Sequence, residues 1–142
     1  MSEQNKEVVR KIEEAWNAQR MDELDQYFDR EFNNKQSGVP GLPAGLEGSK
    51  LAHQSSMKTF PDRKIEILEL LGDGDKVFMR ARLTGTNTGG FPLMGVGPNG
   101  RPIDIESWSV YRLKDGKVVE HWGLNDAFAL AMQLGAIPAP AG

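Results

Sequence analysis

Helical stretches followed by an antiparallel meander predict an α+β fold, with helices packed on one face of a curved sheet. The change of period carries that prediction. Up to Thr59 apolar residues recur at helical spacing, as in Val8, Val9, Ile12, Ala15 and Trp16. Beyond Pro61 they alternate, with Val77, Met79, Ala81 and Leu83 set against Phe78, Arg80, Arg82 and Thr84. The 142 residues are 39% hydrophobic and 26% charged, enough for one domain with its own core. No internal repeat divides the chain, so a single domain over 1–142 is expected, its tail loosely ordered from about residue 136.

The first helix has Ser2 or Asn5 as a candidate cap. A second, short helix is expected from Asp22, with Leu24, Tyr27 and Phe28 as its apolar stripe. The run from Ser37 to Gly45, rich in Gly and Pro, excludes regular structure and suits a loop over a pocket mouth. A third helix should run from about Leu46 to Thr59, closed by Phe60-Pro61-Asp62. Strands follow at Lys64 to Leu71, Lys76 to Thr86, Pro102 to Leu113 and Val118 to Asn125. Gly72-Asp73-Gly74-Asp75 and Asp115-Gly116 form turns between them. Phe128, Ala131 and Leu134 predict a short closing helix that Gly135 ends.

Composition excludes several functions. The chain has no cysteine, which removes disulfides, thiolate metal sites and cysteine catalysis. Seventeen Lys and Arg against 20 Asp and Glu leave a net charge of −3, without the basic excess of a nucleic-acid binder. No apolar run approaches the roughly 20 residues that span a bilayer. The polar N-terminus does not read as a signal peptide, so a cytoplasmic protein is expected. Two histidines without sequence-local carboxylates argue against a metal site. The glycine-rich stretch from Gly89 to Gly100 lacks the Gly-Lys-Ser/Thr ending of a phosphate loop. Its Phe91, Leu93, Met94 and Val96 suit a flap or a subunit contact.

The candidate chemistry centres on Asp126. A carboxylate in a partly apolar pocket has its pKa raised and moves protons next to a carbonyl. Asp126 shares parity with Trp122 and Leu124 at the end of the last strand, and it is equally well placed to cap the closing helix. His121 should then face outward. His53 lies in one helical stripe with Leu46, Met57 and Phe60, either as a hydrogen-bonded core residue or as a pocket group that polarises a substrate oxygen or tunes Asp126. Asn87, and Asn33 or Asn34, offer neutral amides for a carbonyl or enolate oxygen, or serve only to satisfy backbone. With a simple two-residue turn, Ser107, Ser109 and Tyr111 point into the pocket and Glu106 outward; a bulge would reverse that choice. Trp16, Tyr27, Phe60, Leu83 and Trp122 complete an apolar wall. The mixed Phe78/Arg80/Arg82 face suits a homodimer contact.

Several motifs carry a family resemblance. Phe60-Pro61-Asp62, Gly74-Asp75-Lys76-Val77, Gly85-Thr86-Asn87-Thr88-Gly89 and Pro98-Asn99-Gly100 resemble the SnoaL-like polyketide cyclases. So do Asp115-Gly116-Lys117-Val118-Val119-Glu120-His121-Trp122, Asp126 and Gln133-Leu134-Gly135. The resemblance implies the cone-shaped α+β barrel of the nuclear transport factor two superfamily, with helices closing a pocket over a strongly curved antiparallel sheet. It also implies an acid/base aspartate at Asp126. The chain departs from the family pattern at Asn87, at Phe32-Asn33-Asn34-Lys35 and at Ala52-His53. The expected function is cofactor-independent proton transfer and intramolecular aldol closure on a hydrophobic carbonyl substrate. Isomerisation, epoxide hydrolysis or ligand binding without catalysis are the alternatives on the same fold.

Overall fold

The computed structural model describes residues 2–34 and 41–138. Helix α1 (Ser2–Asn17) buries Val9, Ile12 and Ala15 on one stripe against the sheet. Asn17 fastens its far end: Nδ2 donates to the Ile65 carbonyl at 2.8 Å and Oδ1 accepts from the Ile65 amide at 2.9 Å. This single side chain therefore replaces a strand neighbour for the start of the next sheet element.

The segment after α1 departs from expectation. In place of a second α-helix there is a 3₁₀ turn at Met21–Gln26, and Phe28 opens a strand, β1 (Phe28–Asn34). Phe28 and Phe32 are buried four residues apart, a spacing that a helix and a strand satisfy equally. Helix α2 (Gly45–Thr59) follows, then β2 (Lys64–Asp73), β3 (Lys76–Thr86), β4 (Pro102–Lys114), β5 (Lys117–Asn125) and α3 (Ala127–Leu134). Residues 37–40 of the expected pocket loop and 139–142 of the chain end lie outside the described residues. Ala136, where loose order was expected to begin, donates its amide to the Ala131 carbonyl at 2.9 Å.

The five strands form one sheet in the order β1-β5-β4-β3-β2. β2 to β5 are antiparallel as predicted, but β1 joins β5 in parallel, so the sheet is mixed. Val77, Met79, Ala81 and Leu83 are buried, as alternation requires.

The β4–β5 hairpin corrects the predicted register. It starts in register at Lys114↔Lys117 and Leu113↔Val118, but Arg112 then pairs with Glu120, leaving Val119 as an extra residue. Such a bulge turns every later side chain of β5 over. Ser107, Ser109 and Tyr111 still point inward, because β4 keeps its register with β3. It is β5 that changes: His121 and Asn125 face the helices, while Trp122, Leu124 and Asp126 do not.

The loop after β3 is held by Asn87, which is fully buried. Its Nδ2 donates to Gly97 O and Asn99 Oδ1, both at 3.0 Å, and its Oδ1 accepts from Gly90 N at 2.8 Å. The Asn87 carbonyl also accepts from Gly100 N at 2.7 Å. Gly89 sits so close to the end of α2 that a Cβ there would lie 1.6 Å from the Lys58 carbonyl oxygen. Asn87→Ala strips three bonds from buried backbone and side-chain groups, and an unmet buried polar group costs about 1–3 kcal/mol. We therefore expect a lower urea midpoint with an unchanged denaturant slope.

Candidate active site

α1, α2, β1 and the concave face of the sheet enclose an inner cavity of about 230 Å³. It opens into a larger chamber of about 780 Å³ beneath α2 and the Phe91–Leu93 segment; Asn34, Ser49, Ala52, Ser56, Leu83 and Asn125 border both. The outer chamber is walled by Phe60, Phe91, Leu93, Ile103 and Leu130, with Leu42 and Pro43 at its side. The inner one carries the polar groups.

His121 is the first of these. Its Nδ1 lies 3.2 Å from Asn34 Oδ1 and its Nε2 3.0 Å from Ser109 Oγ. Asn34 is oriented by its amide, which donates to Ser49 Oγ at 2.9 Å. Its oxygen is thus turned toward the ring, so the network assigns the proton to Nδ1 and leaves the Nε2 lone pair facing Ser109. Burial pushes the His121 pKa down to about 4, and the ring packs on Tyr111 at 4.6 Å between centroids.

Glu13 and Tyr111 form a second cluster. The Tyr111 hydroxyl donates to Glu13 Oε1 at 2.7 Å, and both groups are buried. Desolvation raises the Glu13 pKa, against the opposing pull of the Tyr111 bond and Arg63; it also raises that of Tyr111. Glu13 belongs to a helical stripe with Val9, Ile12 and Trp16. A carboxylate within an apolar stripe was the sequence signal that would have found it.

Arg63 precedes β2 and turns inward. Its Nη1 donates to His53 Nδ1 at 3.2 Å, and His53 Nε2 in turn lies 3.3 Å from Gln19 Oε1. Burial, reinforced by the Arg63 guanidinium, holds the His53 pKa down at about 4. The His53 ring lies against Trp16, 4.6 Å between centroids. Nothing in the sequence around Arg63 distinguishes it from a surface arginine in a turn.

The predicted residues divide accordingly. Trp16, His53, Leu83 and Ser107 line the inner cavity, and Phe60 lines the outer one. Asn87 is enclosed in its loop, and Tyr27 packs against the core without lining the cavity. Asn33 is exposed while its neighbour Asn34 lines the site. Trp122 sits on the convex face opposite Val110. Glu106 is on that face too, accepting from Arg80 at 3.1 Å and Trp108 Nε1 at 3.0 Å.

The family profile described as SnoaL-like polyketide cyclase matches residues 6–134. The chain belongs to this family. A putative polyketide cyclase from Bacillus cereus ATCC 10987 is 30% identical, covering 95% of this chain and 83% of its own, with a TM-score of 0.80. IdmH from Streptomyces antibioticus, also a putative polyketide cyclase, is 28% identical over 92% of this chain and 98% of its own, with a TM-score of 0.82. AclR from Streptomyces galilaeus, a putative hydroxylase, is 26% identical over 99% of this chain and 87% of its own, with a TM-score of 0.84. No curated protein matches the sequence significantly.

In this SnoaL-like chain the aspartate that the resemblance marks as acid/base stands outside the cavity. Asp126 is exposed and caps α3, its Oδ1 accepting from Ala129 N at 3.1 Å. The bulge at Val119 is the cause, since it turns the parity that was expected to carry Asp126 inward. Among the described residues, no three His, Asp or Glu side chains gather as a metal site would require. No helix among them is long and apolar enough to cross a membrane.

The cavity imposes a pH dependence on folding. His53 and His121, with pKa values of about 4 against an ordinary 6.5, stabilise the fold above pH 6.5 and lose that contribution as pH falls toward 4. Glu13, whose pKa is raised, has the opposite sign: its contribution is complete below pH 4.5 and declines as pH rises through its elevated value. We expect the urea midpoint to drop between pH 6.5 and 4.5. Glu13→Gln keeps an acceptor for Tyr111 and should be more stable than the parent at pH 8.

Proposed function

We propose that the protein is a cofactor-independent acid/base enzyme that removes an α-proton from a hydrophobic carbonyl substrate and closes a ring by aldol addition. The observation that carries this reading is the inward-facing His121, with Nδ1 held by Asn34 and Nε2 directed to the Ser109 hydroxyl. Rotation of that hydroxyl frees the Nε2 lone pair for a substrate C–H. The depressed pKa keeps the imidazole neutral at pH 7, where it acts as a base.

The enolate needs a donor that costs no reorganisation. A carboxylic acid kept protonated by an apolar site serves this purpose in ketosteroid isomerase. Glu13, with Oε1 taken by Tyr111, is suited to the same role through its other oxygen. The enolate carbon then adds to a second carbonyl of the same molecule. The new alkoxide takes the proton back from the His121 imidazolium, so the cycle is balanced. His53 has both nitrogens engaged and is read as a positioning group for Arg63.

Exchange of α-hydrogens of 2-acetonaphthone in deuterated buffer, followed by NMR, tests the first step without a known natural substrate. His121→Gln should slow exchange by about 10²–10⁴-fold, the usual worth of general base catalysis. Asp126→Asn should leave it unchanged and still cap α3. A large loss in Asp126→Asn with none in His121→Gln would return the role to the surface aspartate.

The same reading includes a homodimer through the convex sheet face. Trp108 and Leu124 are 51% and 72% exposed there, beside Phe78, whose ring meets Trp108 edge-on at 5.6 Å. Arg80 and Arg82 flank them, bonded to Glu106 and Asp104. An apolar centre with an aromatic and Arg-rich border has the composition of an interface. Sedimentation at micromolar concentration should give twice the chain mass, and Leu124→Glu should give the single chain.

A further inference from the structure

The inner cavity holds a guanidinium without a contacting carboxylate among the described residues. Five ionisable side chains border the cavity: Glu13, His53, Arg63, Tyr111 and His121. The two histidines are neutral near pH 7, and burial opposes ionisation of Glu13 and Tyr111. Arg63 remains as the fixed charge, since a guanidinium keeps its proton under all ordinary conditions.

Glu13 attracts that charge across the cavity but does not meet it in direct contact. Among the described residues no carboxylate oxygen lies within 4.0 Å of the Arg63 guanidinium, and the one hydrogen bond it donates goes to a neutral imidazole. The Arg63 Nε is buried and has no hydrogen-bond partner, the one such side-chain atom among the described residues. Buried cations are normally paired, because an uncompensated one costs several kcal/mol. The side edge of a guanidinium, which includes Nε, fits the two oxygens of a carboxylate. Nη1 is taken by His53, so the unmet donor lies on that edge.

The outer chamber has the opposite character. Phe60, Phe91, Leu93, Ile103 and Leu130 wall it, and it has more than three times the inner volume. The two spaces are continuous through Asn34, Ala52 and Leu83. A ligand that fills both must be acidic at one end and apolar over the rest.

We propose that the cavity takes an amphipathic organic acid, its carboxylate seated against Arg63 in the inner chamber and its apolar body lying beneath α2 and the Phe91–Leu93 segment. This deepens the reading above by naming the substrate class of the same cavity. Ring closure then occurs on a chain anchored by its acid end, between the anchor and the apolar body.

Quenching of tryptophan fluorescence by 2-naphthylacetic acid and by its methyl ester tests the proposal at pH 7, with Trp16 beside His53 as the reporter within the site. The acid should bind at least tenfold more tightly than the ester. Arg63→Gln should abolish the preference and Arg63→Lys should keep part of it. Lys58→Gln, at the exposed rim of the outer chamber, should leave it intact. The wild-type comparison stands even where an Arg63 variant fails to fold. Equal or tighter binding of the ester overturns the proposal, and so does a preference that survives in folded Arg63→Gln or disappears in Lys58→Gln. α-Hydrogen exchange of 2-acetonaphthone, which has no acid group, is followed in the same samples. Loss of exchange with the acid preference intact counts against the reaction alone; normal exchange with no preference counts against the acid anchor alone.

Discussion

The extra residue at Val119 decides which side of β5 meets the helices. A hairpin in simple register would have lined the cavity with Trp122, Leu124 and Asp126. The bulge brings in His121 and Asn125 and leaves Asp126 at the surface, where its amide donates to the Glu106 carbonyl at 3.1 Å and its side chain starts α3. The position of β1 matters as much, because Asn34 must reach the edge of β5 to hold His121 Nδ1. One inserted backbone unit and one edge pairing thus define which polar groups of β5 line the cavity.

The polar groups of the cavity are arranged to suppress charge. Tyr111 meets Glu13, Asn34 and Ser109 meet His121, and Gln19 and Arg63 meet His53. In a low-dielectric space each hydrogen-bonded pairing avoids the expense of an unmet polar group. Arg63 stands apart, since it cannot relinquish its proton. The cavity therefore combines two neutral imidazoles, a carboxyl whose ionisation burial opposes, and one cation.

Much of the architecture was legible because burial follows period. The alternation in β3 identified its buried face, and the switch at Pro61 separated the helical part from the meander. Gly135, which takes a φ of 78° and closes α3, was equally readable. The resemblance identified the family correctly. β1 was missed because Phe28 and Phe32 satisfy two periods at once. The facing of Asp126, Trp122 and His121 was missed because a bulge leaves no sign in side-chain composition: Val119 is an ordinary strand residue. Glu13 was readable in principle as a carboxylate inside an apolar stripe. Arg63 was not, since its inward turn depends on contacts with α1 and α2 residues distant in sequence.

The parallel union of β1 with β5 has a consequence for the order in which the molecule forms. Asn34 and His121 are separated by 87 positions along the chain, and Glu13 and Tyr111 by 98. Contacts of such sequence separation close large loops, and topologies that depend on them assemble slowly. During synthesis the first helix and β1 leave the ribosome well before the strand that must receive them. β2, β3 and β4 pair with near neighbours in the meantime, while β1 waits for β5. The cavity lining is therefore incomplete until β5 has been made, because His121, Asn125 and Leu130 lie at or beyond that strand.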